Sequence, residues 1–242
     1  MQNRQIAGNR ATGVLKMIAL ALMMCDHMGK MLFPGVIEMR VLGRIAFPLY
    51  AWCLVVGATY TRSMAKYMLR LAAIGLISQP LYMVALNHTW REPNIFFTLL
   101  VALGALWGIR EKKWLSHIWA PVMALAAAVL LKCDYSWQGV LLILLLYAVR
   151  DRRSGIAAVM IAFCLYWGGS SRVISELFGV SLSVTGTVLP SLLYPWLRLQ
   201  TMAILALPLI LWPCKKKLIL PAWLGYALYP AHLIVLWALE RI

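Results

Sequence analysis

Asp26 and His27 stand side by side in an otherwise apolar run, Val14 to Phe33, that opens on a cation, Lys16. A carboxylate and an imidazole at membrane depth are costly unless they face a bundle interior or a watery cavity, which makes both candidates for function. An imidazole with an ordinary pKa of about 6.5 suits proton transfer at neutral pH. Neighbours on a helix do not face each other, so Asp26 is not the group that orients His27; it can reach Lys30 at i,i+4. A better partner is a cation arriving on the next segment, Arg40 or Arg44. Lys16 and His27 are separated by eleven positions, close to three helical turns, so their side chains share a face about 16 Å apart.

Other polar residues interrupt the apolar sequence. Asn94 precedes one apolar segment, Asp134 and Tyr135 lie in a short polar turn, and His232 lies within the last segment. Each has a bland reading. His232 can hydrogen-bond a neighbouring helix, a role worth about 1 kcal/mol; Asp134 can cap the helix that follows it; and Gly43-Arg44 ahead of Phe47-Pro48 can be a helix start with proline in its first turn. No metal site is expected, since the four histidines have no H-x-x-x-H or other ligand spacing. The five cysteines are scattered without a C-x-x-C and read as small buried hydrophobes.

The elements that must position these groups are membrane helices. The 242 residues are 63% hydrophobic with a mean hydropathy of +0.79, beyond the range of soluble domains. Apolar segments of membrane length recur along the chain, and such spans must be helical because backbone groups in lipid need partners within their own segment. The sequence predicts an all-α polytopic bundle of about nine spans, 1–242 forming a single integral-membrane domain. The spans fall near 14–33, 43–61, 68–86, 95–109, 117–131, 139–149, 155–168, a proline-interrupted stretch at 184–212, and 218–239. The stretch 184–212 reads as one kinked span or as a span plus a surface helix. Arg4 and Arg10 before the first run resemble a signal peptide, but the run lacks a cleavage site and reads as a retained span.

With the N-terminus cytoplasmic, fifteen of the 23 Lys and Arg fall on the cytoplasmic side, in clusters around Arg10, Lys66, Lys112, Arg152 and Lys216. This is the positive-inside pattern, with the C-terminus outside. The net charge of +15 is mostly this bias. Split among loops, it does not form the basic stripe of a nucleic-acid-binding module. The orientation sends Asp26, His27, Arg44, Asn94, Asp134, Tyr135 and His232 toward the outer side, where a polar cavity is the economical expectation.

Asp26-His27 followed by Gly43-Arg44-Ile45-Ala46-Phe47-Pro48-Leu49-Tyr50 resembles the two leading signatures of the TraX family, whose founding member acetylates the N-terminus of conjugative pilin. Asn94-Ile95-Phe96-Phe97, Asp134-Tyr135-x-x-x-Gly139 and Tyr229-Pro230-Ala231-His232-Leu233 extend the similarity, which is strongest at 14–52 and poor between 150 and 215. Lys16, ten residues, then His27 is more distantly similar to the basic-x10-His signature of membrane acyltransferase family three.

The resemblance implies an acetyl-CoA-dependent acetyltransferase. His27 would act as general base on an amine or hydroxyl acceptor at the outer side, with Asp26 and Arg44 in the catalytic set and His232 as a second acid or base. Arg40, Asn94, Asp134, Tyr135 and Tyr229 would bind the substrate, and Lys16 would receive the phosphates of cytoplasmic acetyl-CoA. The acceptor is expected to be a pilin-like N-terminus or another amine. An O-acyltransferase acting on a cell-surface glycan, a transporter or flippase using the same cavity, and a non-catalytic assembly protein are the other readings.

Overall fold

The computed structural model describes residues 5–182, 188–214 and 222–241. Arg4, Lys215, Lys216 and Lys217 of the basic clusters and the start of the stretch at 184 lie outside them. The chain is mostly helical, in the order α1 (Thr12–Met31), α2 (Ile37–Arg44), α3 (Ala46–Tyr60), α4 (Met64–Leu86), α5 (Ile95–Glu111), α6 (Ser116–Leu130), α7 (Ser136–Ala148) and α8 (Arg153–Gly168). A small hairpin follows, β1 (Glu176–Leu177) and β2 (Val180–Ser181), then α9 (Val188–Leu193), a 3-10 helix at Gln200–Ala206, α10 (Leu207–Leu211) and α11 (Ala222–Leu239). Among the described residues, four stretches are long and apolar enough to cross a membrane: Thr12–Met31, Ile37–Tyr60, Met64–Leu86 and Lys113–Leu130. Shorter apolar helices occupy Ser136–Ala148, Arg153–Gly168, Gln200–Leu211 and Ala227–Leu239.

Helix ends follow local chemistry. α1 stops ahead of Pro34, whose ring disfavours helical backbone at Phe33. Ser63 caps α4, its side chain accepting from the Lys66 N–H at 3.3 Å, and Asn87 ends the helix in the left-handed conformation. Pro48 lies in the first turn of α3, where no backbone donor is missed.

Two boundaries differ from the sequence reading. Glu38 to Arg44, expected to be partly a connection, is helical, so the second apolar stretch starts at Ile37 and breaks only at Ile45. Within 188–212 the described residues break at turns between α9 and a 3-10 helix that runs directly into α10. Pro190, Pro195 and Pro208 each remove a backbone donor and crowd the preceding turn.

The chain divides into two compact units, the division falling within α3. One comprises Gly8–Tyr50 and Arg152–Leu218. Its core holds Leu15, Phe47, Leu49, Ile156, Met160 and Ile174. Here Gly168 lets α8 meet the 3-10 helix, because a Cβ at that position would overlap the Thr201 hydroxyl. The β-hairpin turns on Phe178 and Gly179, both at positive φ as a two-residue hairpin requires. The Phe178 N–H donates to Glu38 Oε1 on α2 at 2.5 Å.

The other unit comprises Met1–Ala7, Ala51–Asp151 and Ile219–Ile242. Trp52, Leu103, Leu106, Leu142, Ile143 and Leu146 fill its core. α5 and α6 approach closely at Gly108, where a Cβ would overlap that of Ala120, and Ser116 Oγ donates to the Gly108 carbonyl at 2.6 Å. Arg110 Nη1 donates to the carbonyls of Ala58 at 3.2 Å and Thr61 at 2.9 Å, satisfying the end of α3.

Candidate functional site

The site in the first unit is built on the crossing of α1 and α2. Both helices carry a glycine at the crossing: a Cβ at Gly29 would lie 2.7 Å from that of Met39, and one at Gly43 would overlap the Asp26 side chain. Small residues allow two membrane helices to approach at backbone distance. The approach delivers both α2 arginines to Asp26. Arg44 Nη2 meets Asp26 Oδ1 at 2.7 Å, and Arg40 Nη1 meets Asp26 Oδ2 at 2.9 Å and the Asp26 backbone carbonyl at 3.0 Å. The pairing of Asp26 with a cation from the next segment is thus formed, and with both arginines at once. The side chains are 14% exposed for Asp26, 20% for Arg40 and 15% for Arg44. The cluster carries a net charge of about +1, so an approaching anion or polarised oxygen is favoured over a cation.

Arg44 Nη1 also donates to Gln200 Oε1 at 3.3 Å. Gln200 begins the 3-10 helix and is held from behind, its backbone N–H donating to Ser171 Oγ at 3.1 Å while that hydroxyl donates to the Gly168 carbonyl at 2.8 Å. The sequence reading did not single out Gln200. Its signal is a polar residue close to Arg198 and Thr201, weak in a segment broken by prolines. His27 follows Asp26 on α1 and is half-buried, and Lys16 is exposed near the start of the same helix.

The remaining expected residues lie in the other unit. Asn94 is 0% exposed and its polar groups are engaged: Oδ1 accepts from the Phe96 N–H at 3.0 Å, Nδ2 donates to the Gly75 carbonyl at 2.9 Å, and its backbone N–H donates to Gln79 Oε1 at 2.9 Å. Gln79 Nε2 in turn reaches the Glu92 carbonyl at 3.2 Å. Asn94 is therefore an α5 cap and a strap to α4. Next to it, the Phe96 ring meets Tyr229 edge-on at 4.8 Å, and Tyr229 meets His232 at 5.3 Å. Tyr229 and His232 are 3% and 4% exposed. His232 Nδ1 lies 3.2 Å from the Leu228 carbonyl. A carbonyl only accepts, so Nδ1 is the donor in this contact.

Asp134 does not cap α7, whose N-cap is Tyr135 without a side-chain bond. It is exposed and accepts a hydrogen bond from the buried Tyr82 hydroxyl, while Tyr135 is half-buried. Tyr82 stacks on His88 at 4.7 Å, and His88 pairs with Glu92 at 3.5 Å. Hydrogen bonds from the Thr89 backbone and hydroxyl hold the Glu92 carboxyl below the ordinary carboxylate range, with His88 adding to the effect. Burial pushes the neighbouring Cys133 thiol up to about 11, so it stays protonated at neutral pH and is no nucleophile. Among the described residues no three His, Cys, Asp or Glu side chains are grouped to hold a metal ion.

Fold and site define a helical protein with membrane-length apolar segments and a doubly ion-paired carboxylate on the first of them. The chain belongs to the TraX family, whose model, described as TraX protein, matches residues 11–240. It is also similar to the probable fimbrial assembly protein FimC, serogroup H1, of Dichelobacter nodosus. The two are 28% identical over 198 residues, covering 74% of this chain and 81% of the relative. No solved structure matches.

Proposed function

We propose that the chain is a multi-pass acetyltransferase of the bacterial plasma membrane, with about nine spans and a cytoplasmic N-terminus. It would move an acetyl group from cytoplasmic acetyl-CoA to an amine presented at the outer side. The observation that carries this reading is the α1–α2 crossing, where a glycine-permitted contact fixes Asp26 between Arg40 and Arg44 beside His27. Family membership and the fimbrial relative support a pilin-like N-terminus as acceptor, and the same attack geometry would serve a hydroxyl acceptor.

In this mechanism His27 takes a proton from the neutral acceptor amine as its nitrogen attacks the thioester carbonyl carbon. The C–N bond forms and the carbonyl pair moves onto oxygen, where the Arg44 guanidinium stabilises the charge. The pair then returns, the C–S bond breaks, and the thiolate leaves as the thiol with the proton from His27. Asp26 and Arg40 hold Arg44 in place. For the other unit we assign acceptor recognition to Asp134, Tyr135, Tyr229 and His232, with Asn94 keeping α5 in position. Lys16, one face and about 16 Å from His27, is assigned to the coenzyme phosphates.

The test is His27→Ala in membranes given labelled acetyl-CoA, with label counted in membrane proteins and in an added peptide bearing a free α-amino group. The wild type is expected to transfer label and the variant to insert normally but transfer none. Undiminished transfer by the variant would remove the proposal.

A further inference from the structure

Gln200 is joined to the Asp26 cluster by chemistry that fixes which way its amide points. A guanidinium carries donors only, so the amide atom facing Arg44 Nη1 must be the oxygen. Gln200 Nε2 is thereby the amide atom not bonded to Arg44, and it is a buried atom that donates to no acceptor among the described residues. A buried donor left without an acceptor is costly, and each such group calls for an explanation. The side chain is not there by looseness of packing. Its backbone N–H is bonded to Ser171, and the next residue, Thr201, is fully buried against Gly168 with its hydroxyl donating to the Pro195 carbonyl at 2.9 Å. The amide is a preorganised donor beside a guanidinium.

We propose that Gln200 is a catalytic residue: its Nε2–H group and the Arg44 guanidinium together bind the acyl carbonyl oxygen as it gains negative charge. This rests on the transferase reading above. An oxygen ligand is what neighbouring donors hold, and one whose charge grows during reaction profits most from donors fixed beforehand. The step adds no new reactant. The amine pair forms the C–N bond, the carbonyl π pair moves to the oxygen held by Gln200 and Arg44, and its return expels the thiolate. Gln200 gives up no proton at any stage.

The decisive variant is Gln200→Glu. It keeps an oxygen for Arg44 and the length of the side chain but has no N–H to offer. A residue that merely positioned Arg44 would tolerate this change. A donor to the reacting oxygen would not, and the expected outcome is a loss of about 100-fold or more in kcat with the KM for acetyl-CoA within about threefold. Gln200→Met, similar in size and uncharged, is expected to lose as much, and the thermal unfolding of both purified in detergent is expected to match the wild type. Near-wild-type kcat in either variant overturns the proposal, since retention by Met alone would trace the Glu effect to its charge. A wild type that transfers no label overturns both this role and the transferase reading, whereas equal transfer by wild type and Gln200→Glu overturns the role of Gln200 alone.

Discussion

Gly43 and Asp26 occupy space that no larger pair could share, because any Cβ at residue 43 would fall on the Asp26 carboxyl group. The Gly43-Arg44 dipeptide therefore combines two functions, a close approach by the first residue and an ion pair by the second. Gly43→Ala is expected to force α1 and α2 apart at a cost of about 1–3 kcal/mol. A displacement of about 1 Å at a reacting group can cost about 100-fold in rate. Thermal unfolding in detergent and label transfer from acetyl-CoA measure the two effects; a fully active Gly43→Ala protein would mean that the crossing does not set the site.

Asp26→Ala leaves Arg40 and Arg44 facing each other without their common anion. Breaking a largely buried pair by removing one partner costs about 3–5 kcal/mol, so this variant is expected to unfold well below the wild type. Asp26→Asn, which keeps one side-chain acceptor oxygen but turns an NH2 donor toward the other arginine, is expected to fall between. The order of the three melting temperatures checks the argument.

Asn94→Ala removes the acceptor for the Phe96 N–H and the donor to the Gly75 carbonyl. Each orphaned buried group costs about 1–3 kcal/mol, and a marked loss of stability is expected. Because Asn94 is spent on the fold, the surviving folded protein should show an unchanged KM for acetyl-CoA. A changed KM at wild-type stability would restore it to the binding residues.

The connection between α4 and α5 should respond to acid. The folded pKa of Glu92 lies below its unfolded value, so its contribution to the loop is present above the unfolded pKa. It is lost as pH falls through the lowered folded value. Hydrogen exchange at the Thr89 N–H, corrected for the intrinsic pH dependence, is expected to lose protection in that acidic window. Glu92→Gln should remove most of this pH dependence.

The membrane character of the chain and most helix positions were legible because apolar length and basic loops report them directly. The Asp26 pairing was legible too, since a carboxylate in an apolar helix must find a cation and the next segment offered two. The double pairing was not, because it depends on Gly29 and Gly43 sitting at one crossing, and a glycine does not announce which neighbour it admits. Asn94 illustrates a different ambiguity: a polar residue at the start of an apolar segment does not say what it will hold until its partners Gly75 and Phe96 are seen. Gln200 stayed hidden for a third reason. Its segment is broken by Pro190, Pro195 and Pro208, so no periodicity said which way any side chain would point.

Arg110 falls in one of the basic clusters of the sequence, and its guanidinium also closes the end of α3 through Ala58 and Thr61. For charge alone a lysine would be equivalent, but a single ammonium on a flexible stem is not preorganised to reach both carbonyls from one fixed position. One side chain thus meets two demands with different tolerances, a positive sign near a helix end and a shape that spans two carbonyls. A lysine at this position would meet the first demand and miss the second.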